Sequence, residues 1–214
     1  EAAKRRIAIN PHEPIKDSGL RRTYPNWVSR EGQRGMEYNA WAVPKNPPRY
    51  DTELMFTRML AGPMDYTPGI VSLKGRGGTD IKSTLARQLA LYVVIYSPIA
   101  MAADLQENYE AEPVAFGFIK QVPTDWDESR VLSGVIGDQV VIARRERGEA
   151  NWYVGGVTDE QARQANVTLD FLDPKRTYLA TIYRDGATAA MGPKGKDMTV
   201  ERRTVRRGDR INIG

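Results

Sequence analysis

The sequence predicts an α/β half followed by an all-β half, with the change near residue 130. Two patterns lead there. In the first half, short apolar segments alternate with helical spacing, which argues for parallel βα units. After it, strand-like runs follow one another between turn signals, which argues for an antiparallel sheet. The composition, 41% hydrophobic and 27% charged over 214 residues, is that of a globular protein with room for a real core.

Residues 1–6 read as a helix end, and residues 7–10 as a short strand stopped by Pro11. Residues 23–29 are a second aromatic and β-branched stretch, interrupted by Pro25. Leu54, Met55 and Met59 have helical spacing within residues 51–60, and Gly62-Pro63 is a stop signal. Residues 64–67 form a third short strand. Thr79-Asp80 is the expected cap of the next helix, apolar all round through Leu85, Leu89, Tyr92, Val93 and Tyr96 and therefore buried. Residues 99–103 make a fourth strand, and a further helix begins near Pro113.

Residues 123–130 are polar and turn-rich. Beyond them strands are expected at 139–143, 152–157, 166–172, 178–183, 198–205 and 210–213. Gly155-Gly156, Asp173-Pro174, Asp185-Gly186 and Gly208-Asp209 supply the turns. Four parallel strands alone would leave two open edges and a bare face, so the first half is best understood as part of a larger barrel.

Composition narrows the chemistry. There is no cysteine, which excludes disulfide scaffolds, thiolate metal sites and cysteine nucleophiles, and the single histidine, His12, excludes sites needing two imidazoles. Carboxylate chemistry remains, helped by Lys, Arg, Tyr or an oxygen-ligated metal. The net charge of +4 is spread along the chain, unlike the one-sided face of a nucleic-acid binder. The longest apolar run, residues 89–95, is too short to span a bilayer. The first residue is Glu1 and not methionine, so the natural protein is expected to begin further upstream.

Glu13, Glu31 and Glu37 each follow an expected strand, where a (β/α) barrel keeps its active site. Three such carboxylates can supply a general acid, a general base and ligands for a hard cation. His12 lies beside Glu13 and suits a substrate hydrogen bond. Trp27, Tyr38, Trp41 and Tyr66 are near these segments and are candidates for stacking on a sugar ring or for core packing. Residues 74–79 resemble a phosphate loop but match neither GxxxxGK[ST] nor GxGxxG, so they read as a loop leading into a helix. Arg202, Arg203, Arg206, Arg207 and Arg210 alternate with Val205 and acidic neighbours in a strand pattern and read as an exposed sheet face.

The run Asn10-Pro11-His12-Glu13, then Arg22-Thr23-Tyr24-Pro25-Asn26, Glu31-Gly32 and Arg34-Gly35-Met36-Glu37-Tyr38, resembles glycoside hydrolase family 97. So do the long block of residues 56–69 and Trp152-Tyr153-Val154-Gly155-Gly156. The resemblance covers essentially the whole chain. It implies that residues 1–130 are the C-terminal half of a catalytic (β/α)8 TIM barrel and residues 131–214 an antiparallel β-sandwich domain. The first half-barrel and a further N-terminal domain would precede Glu1.

Members of the family hydrolyse α-glucosides or α-galactosides with the help of calcium. Inverting members keep a glutamate at the position of Glu13, whereas retaining members carry a nucleophilic aspartate on an earlier strand. The resemblance therefore implies the inverting, α-glucosidase-type branch. Glu37 would be the general acid, Glu13 would activate water and bind calcium, Glu31 would be a second calcium ligand, and His12 would contact substrate. A further base and another calcium ligand would come from upstream, so these 214 residues alone are expected to be inactive. Such a mechanism needs acid and base about 6.5–9.5 Å apart, and Glu37 in a less polar or like-charged setting.

Tyr50 stands where family members often have histidine. The resemblance also implies an oligosaccharide substrate, a periplasmic or secreted location, and a homodimer or other homo-oligomer formed through the C-terminal domain, with no nucleic-acid partner. The alternatives are an α-galactosidase of the same family and a non-catalytic module for carbohydrate contact or oligomerisation.

Overall fold

The computed structural model describes residues 1–12, 15 and 17–213. The helices are α1 (Leu20–Thr23), α2 (Tyr38–Trp41), α3 (Pro48–Leu54), α4 (Leu85–Val94), α5 (Gln106–Ala111) and α6 (Pro113–Gln121), with 3-10 turns at Ala3–Arg5, Arg58–Ala61 and Arg76–Gly78. Proline occupies the first position of α3 and of α6, where its missing N–H costs nothing. The helix expected over 51–60 is split, because α3 starts earlier and stops at Leu54. α4 is capped by Thr84, whose side chain accepts from Arg87 N at 3.1 Å, and not by Thr79-Asp80. Asp80 pairs with Lys74 instead. As expected, α4 is enclosed nearly all round.

Of the four parallel strands expected before residue 130, the described residues form one parallel bridge, Ile9 to Trp27. The other segments lie side by side through single hydrogen bonds: Asp65 N to Arg30 O at 3.0 Å, Met64 N to Tyr96 O at 3.0 Å, and Ala103 N to Pro68 O at 3.1 Å. Prolines 11, 25, 63, 68 and 98 remove donors from these segments and prevent a continuous ladder. The strand pairing therefore does not establish the expected half-barrel.

The second half is antiparallel throughout. β1 (Trp126–Val135), β2 (Gln139–Glu146) and β3 (Trp152–Thr158) form one sheet in that order. β4 (Ala165–Thr168) pairs with β7 (Arg210–Ile213), and β5 (Tyr178–Asp185) with β6 (Met198–Val205). β1 occupies the polar stretch expected to be turn, and residue 130 falls inside it. It is an edge strand whose charged residues face water, which suits an edge and hides the strand from a hydrophobicity pattern.

β2 is buried on both faces. Val140 and Ile142 join a core with Leu54, Met64, Tyr66, Leu91 and Val94 from the first half. Val141 and Ala143 join a second core with Val167, Leu169, Phe171, Val205 and Ile211. α4 sits directly on β3 at Gly155, where an added Cβ would lie 2.8 Å from Val93 Cβ and 2.9 Å from Ala90 O.

Two buried arginines fasten the halves. Arg144 of β2 donates to Val93 O at 2.6 Å and Val94 O at 3.0 Å, the last carbonyls of α4, and to Ser129 Oγ at 2.6 Å. A cation there completes the open end of the helix and opposes its dipole. Burial pushes the Arg144 guanidinium down to about 10, which leaves it charged at neutral pH. Arg87 of α4 pairs with Asp51 of α3 and donates to Pro48 O at 2.8 Å and to Thr158 O of β3.

Candidate active site

Glu31 follows the second extended segment. Its backbone N–H donates to Pro11 O at 3.0 Å, which ties it to the chain beside His12. From the other side, buried Arg58 donates to Glu31 O at 3.2 Å and to Arg30 O at 2.9 Å. Glu37 precedes α2, and the amide of Met36 next to it donates to Tyr66 O at 2.7 Å. Gly35 is required for this approach, since a Cβ there would lie 2.9 Å from the same carbonyl oxygen.

These constraints bring three of the expected residues together. His12, Glu31 and Glu37 offer potential ligand atoms that all lie within 4.8 Å of one another. Glu37 and His12 are exposed and Glu31 is partly buried. Glu37 is thus in the like-charged setting expected for it, and not in an apolar one. Glu13 lies outside the described residues.

His12 Nε2 donates to Asp65 Oδ2 at 2.8 Å, and its Nδ1 is 3.9 Å from Glu31 Oε2. Burial pulls the imidazole pKa down. The hydrogen bond to Asp65 and the charges of Glu31, Asp65 and Glu37 outweigh it, and the net direction is upward from 6.5.

Asp65 itself is 1% exposed on its side chain. It also accepts from Asn10 Nδ2 at 2.6 Å and Thr67 Oγ1 at 3.1 Å. The sequence did not single out Asp65 or Arg58, although a lone carboxylate within an apolar segment is a usable signal for such a partner.

The aromatic candidates separate. Tyr66 is core, and its hydroxyl donates to Asp51; burial raises its pKa well above the ordinary value, so the proton stays. Trp27 is partly buried under the Arg30 guanidinium, 4.8 Å from the ring centre. Tyr38 lies between Arg34 and Trp41, and Trp41 is 62% exposed. Tyr50 accepts from the Arg34 amide at 3.0 Å and packs against the first core, so it serves as a support for the loop before Glu37.

Calcium takes six to eight hard oxygen ligands. The carboxylates of Glu31 and Glu37 fit that requirement, while the His12 nitrogen suits softer ions and its other nitrogen is committed to Asp65. The phosphate-loop-like stretch and the arginine cluster behave as loop and surface. Residues 76–78 form a 3-10 turn with Gly77 at φ +69°, and Arg202 and Arg203 are exposed on β6. Among the described residues, no helix is long and apolar enough to cross a membrane.

Residues 125–214 match the family described as "Glycosyl-hydrolase 97 C-terminal, oligomerisation", and residues 1–33 match "Glycoside hydrolase 97". A retaining alpha-galactosidase of Bacteroides thetaiotaomicron is 39% identical over 99% of this chain and 32% of its own length. A probable retaining alpha-galactosidase of Streptomyces bingchenggensis is 33% identical over 99% of this chain and 30% of its own. A solved glycoside hydrolase family 97 enzyme from Pseudoalteromonas sp. strain K8, in complex with panose, superposes with a TM-score of 0.93 at 54% identity, over 99% of this chain and 33% of that one. The same enzyme is also solved in complex with acarbose. The chain therefore spans about a third of the length of the proteins it matches.

Proposed function

We propose that this chain, which belongs to glycoside hydrolase family 97, supplies part of the active site of a calcium-assisted enzyme that hydrolyses α-glucosidic bonds in oligosaccharides with inversion. The observation that carries the reading is the meeting of Glu31, Glu37 and His12 within 4.8 Å. Glu37 protonates the departing glycosidic oxygen. Glu13 activates water on the opposite face. His12, held by Asp65, hydrogen-bonds a sugar hydroxyl through Nδ1. Glu13 and Glu31 would hold calcium, whose charge would keep both ionised.

The choice of α-gluco-oligosaccharides draws support from the relative solved with panose, an α-linked glucose trisaccharide. A periplasmic or secreted location and self-association through residues 131–214 complete the proposal; the match to a C-terminal family described by oligomerisation supports the latter.

A second reading, a retaining α-galactosidase, is favoured by the names of the two curated relatives. Both are tested on a protein extended to the length of those relatives. Nitrophenyl α-glucoside and panose should be cleaved, and proton NMR should show β-glucose as the first-formed anomer. Cleavage of the α-galactoside alone, with the α-anomer formed first, selects the second reading. Glu37→Gln should abolish hydrolysis of substrates with poor leaving groups, and wild-type rates would overturn the acid assignment. Residues 1–214 alone should give no turnover.

A further inference from the structure

The geometry points to Asp65 as a positioning residue: its carboxylate holds the His12 Nε2 proton, so that Nδ1 is the ring atom turned toward Glu31. A carboxylate oxygen accepts, so Nε2 carries a proton in this bond whatever the charge on the ring. In the neutral ring, Nδ1 then has its lone pair free for a donor. A sugar hydroxyl is a donor of that kind.

Asp65 is suited to this task because little about it can move. Three donors, His12, Asn10 and Thr67, converge on its two oxygens. Its amide is bonded to Arg30 O, and its carbonyl accepts from Gln33 Nε2 at 2.7 Å. The next residue, Tyr66, holds the Met36 amide through its carbonyl and reaches the buried Asp51 through its hydroxyl. Two consecutive residues therefore fix the imidazole on one side of the cluster and the backbone before Glu37 on the other. Rigid support of this kind is what a reacting constellation requires.

The link to catalysis rests on the roles proposed above for His12 and Glu37, whereas the hold on the ring does not. Because His12 is the chain's single histidine, one ring is seen in a long-range proton–nitrogen NMR spectrum of the labelled chain. The spectrum is recorded with chelator, at a pH where the ring is neutral. It should show Nε2 protonated, with a slowly exchanging proton, and Nδ1 bare. Asp65→Asn should lose that single tautomer, while Thr67→Val, which spares the bond to His12, should keep it. Near-UV circular dichroism checks that each variant is folded.

A wild-type ring protonated at Nδ1 overturns the proposal even if Asp65→Asn fails to fold, as does an unchanged tautomer in a folded Asp65→Asn. In the active enzyme, Asp65→Asn should lower kcat about 10–100-fold, and adding it to His12→Ala should cost nothing more. A full additional loss in the double variant overturns the route through His12. Unchanged activity in His12→Ala, with the tautomer fixed as described, removes the functional reading of His12 and leaves the hold of Asp65 on the ring intact.

Discussion

Asp51 on α3 and Arg87 on α4 form an ion pair at 2.8 Å, with each side chain only 6% exposed. Tyr66 donates to the same carboxylate. The pair therefore joins two helices to the segment that carries Asp65.

Breaking this pair from one side should be severe. Asp51→Ala leaves the Arg87 guanidinium buried without its counter-charge, and the unfolding free energy should fall by about 3–5 kcal/mol. Urea melts of Asp51→Ala, Arg87→Met and the double variant measure it. The double variant should lose clearly less than the sum of the singles. Strict additivity would mean that the two groups are not coupled.

Two glycines separate packing from backbone freedom. Gly155→Ala drives a methyl into Val93 and the Ala90 carbonyl, and should destabilise by about 1–3 kcal/mol, as overpacking does. Gly117 lies inside α6 with nothing within 4 Å of an added Cβ. Gly117→Ala should therefore stabilise by about 0.5–1 kcal/mol. Thermal unfolding of the two variants should move in opposite directions.

Arg144→Lys tests the closure of α4. A lysine ammonium cannot place a planar fork on Val93 O, Val94 O and Ser129 Oγ together. Each buried carbonyl left without a donor costs about 1–3 kcal/mol. Amide exchange in the last turn of α4 should quicken in this variant, and unchanged protection would refute the capping role.

The His12 imidazole should titrate above 6.5 in the metal-free chain. A basic group whose pKa is raised on folding adds stability that is fully present below the unfolded value. That stability is lost as pH rises through the folded value. The stabilisation from His12 should thus be complete below 6.5 and vanish above the folded midpoint. Asp65→Asn should lower the midpoint seen by NMR, because it removes the charge that helps to raise it.

The antiparallel half was legible in the sequence because Gly, Asp and Pro punctuate its strands, although Gly155-Gly156, expected as a turn, lies inside β3 where α4 packs closely. β6 and β7 begin and end where the pattern places them, and β2, β3 and β5 extend only slightly further. β4 is shorter than its apolar pattern. Leu169, Phe171 and Leu172 are buried by the second core without pairing as strand, since burial and ladder formation need not end together. β1 escaped detection because an edge strand carries Asp127, Glu128 and Arg130 where an inner strand would carry apolar residues.

In the first half, the apolar segments were visible, but their prolines determine how far they pair. Within the site, Glu31, Glu37 and His12 could be found from position relative to those segments. Position marked neither Asp65 nor Arg58, because their importance lies in partners 53 residues away for His12 and Asp65, and 28 for Arg30 and Arg58; for Asp65 the one sign was a lone charge in an apolar segment.

β2 has no outer face. A strand shared by two cores cannot be cut out with one of them, so the boundary in the sequence is not a seam in the molecule. Moving the C-terminal sheets onto another protein would expose Val140 and Ile142 and strand Arg144, unless α4 and the segments carrying Leu54, Met64 and Tyr66 travelled with them. The natural unit of exchange is consequently larger than the all-β half, and reaches back at least to Leu54.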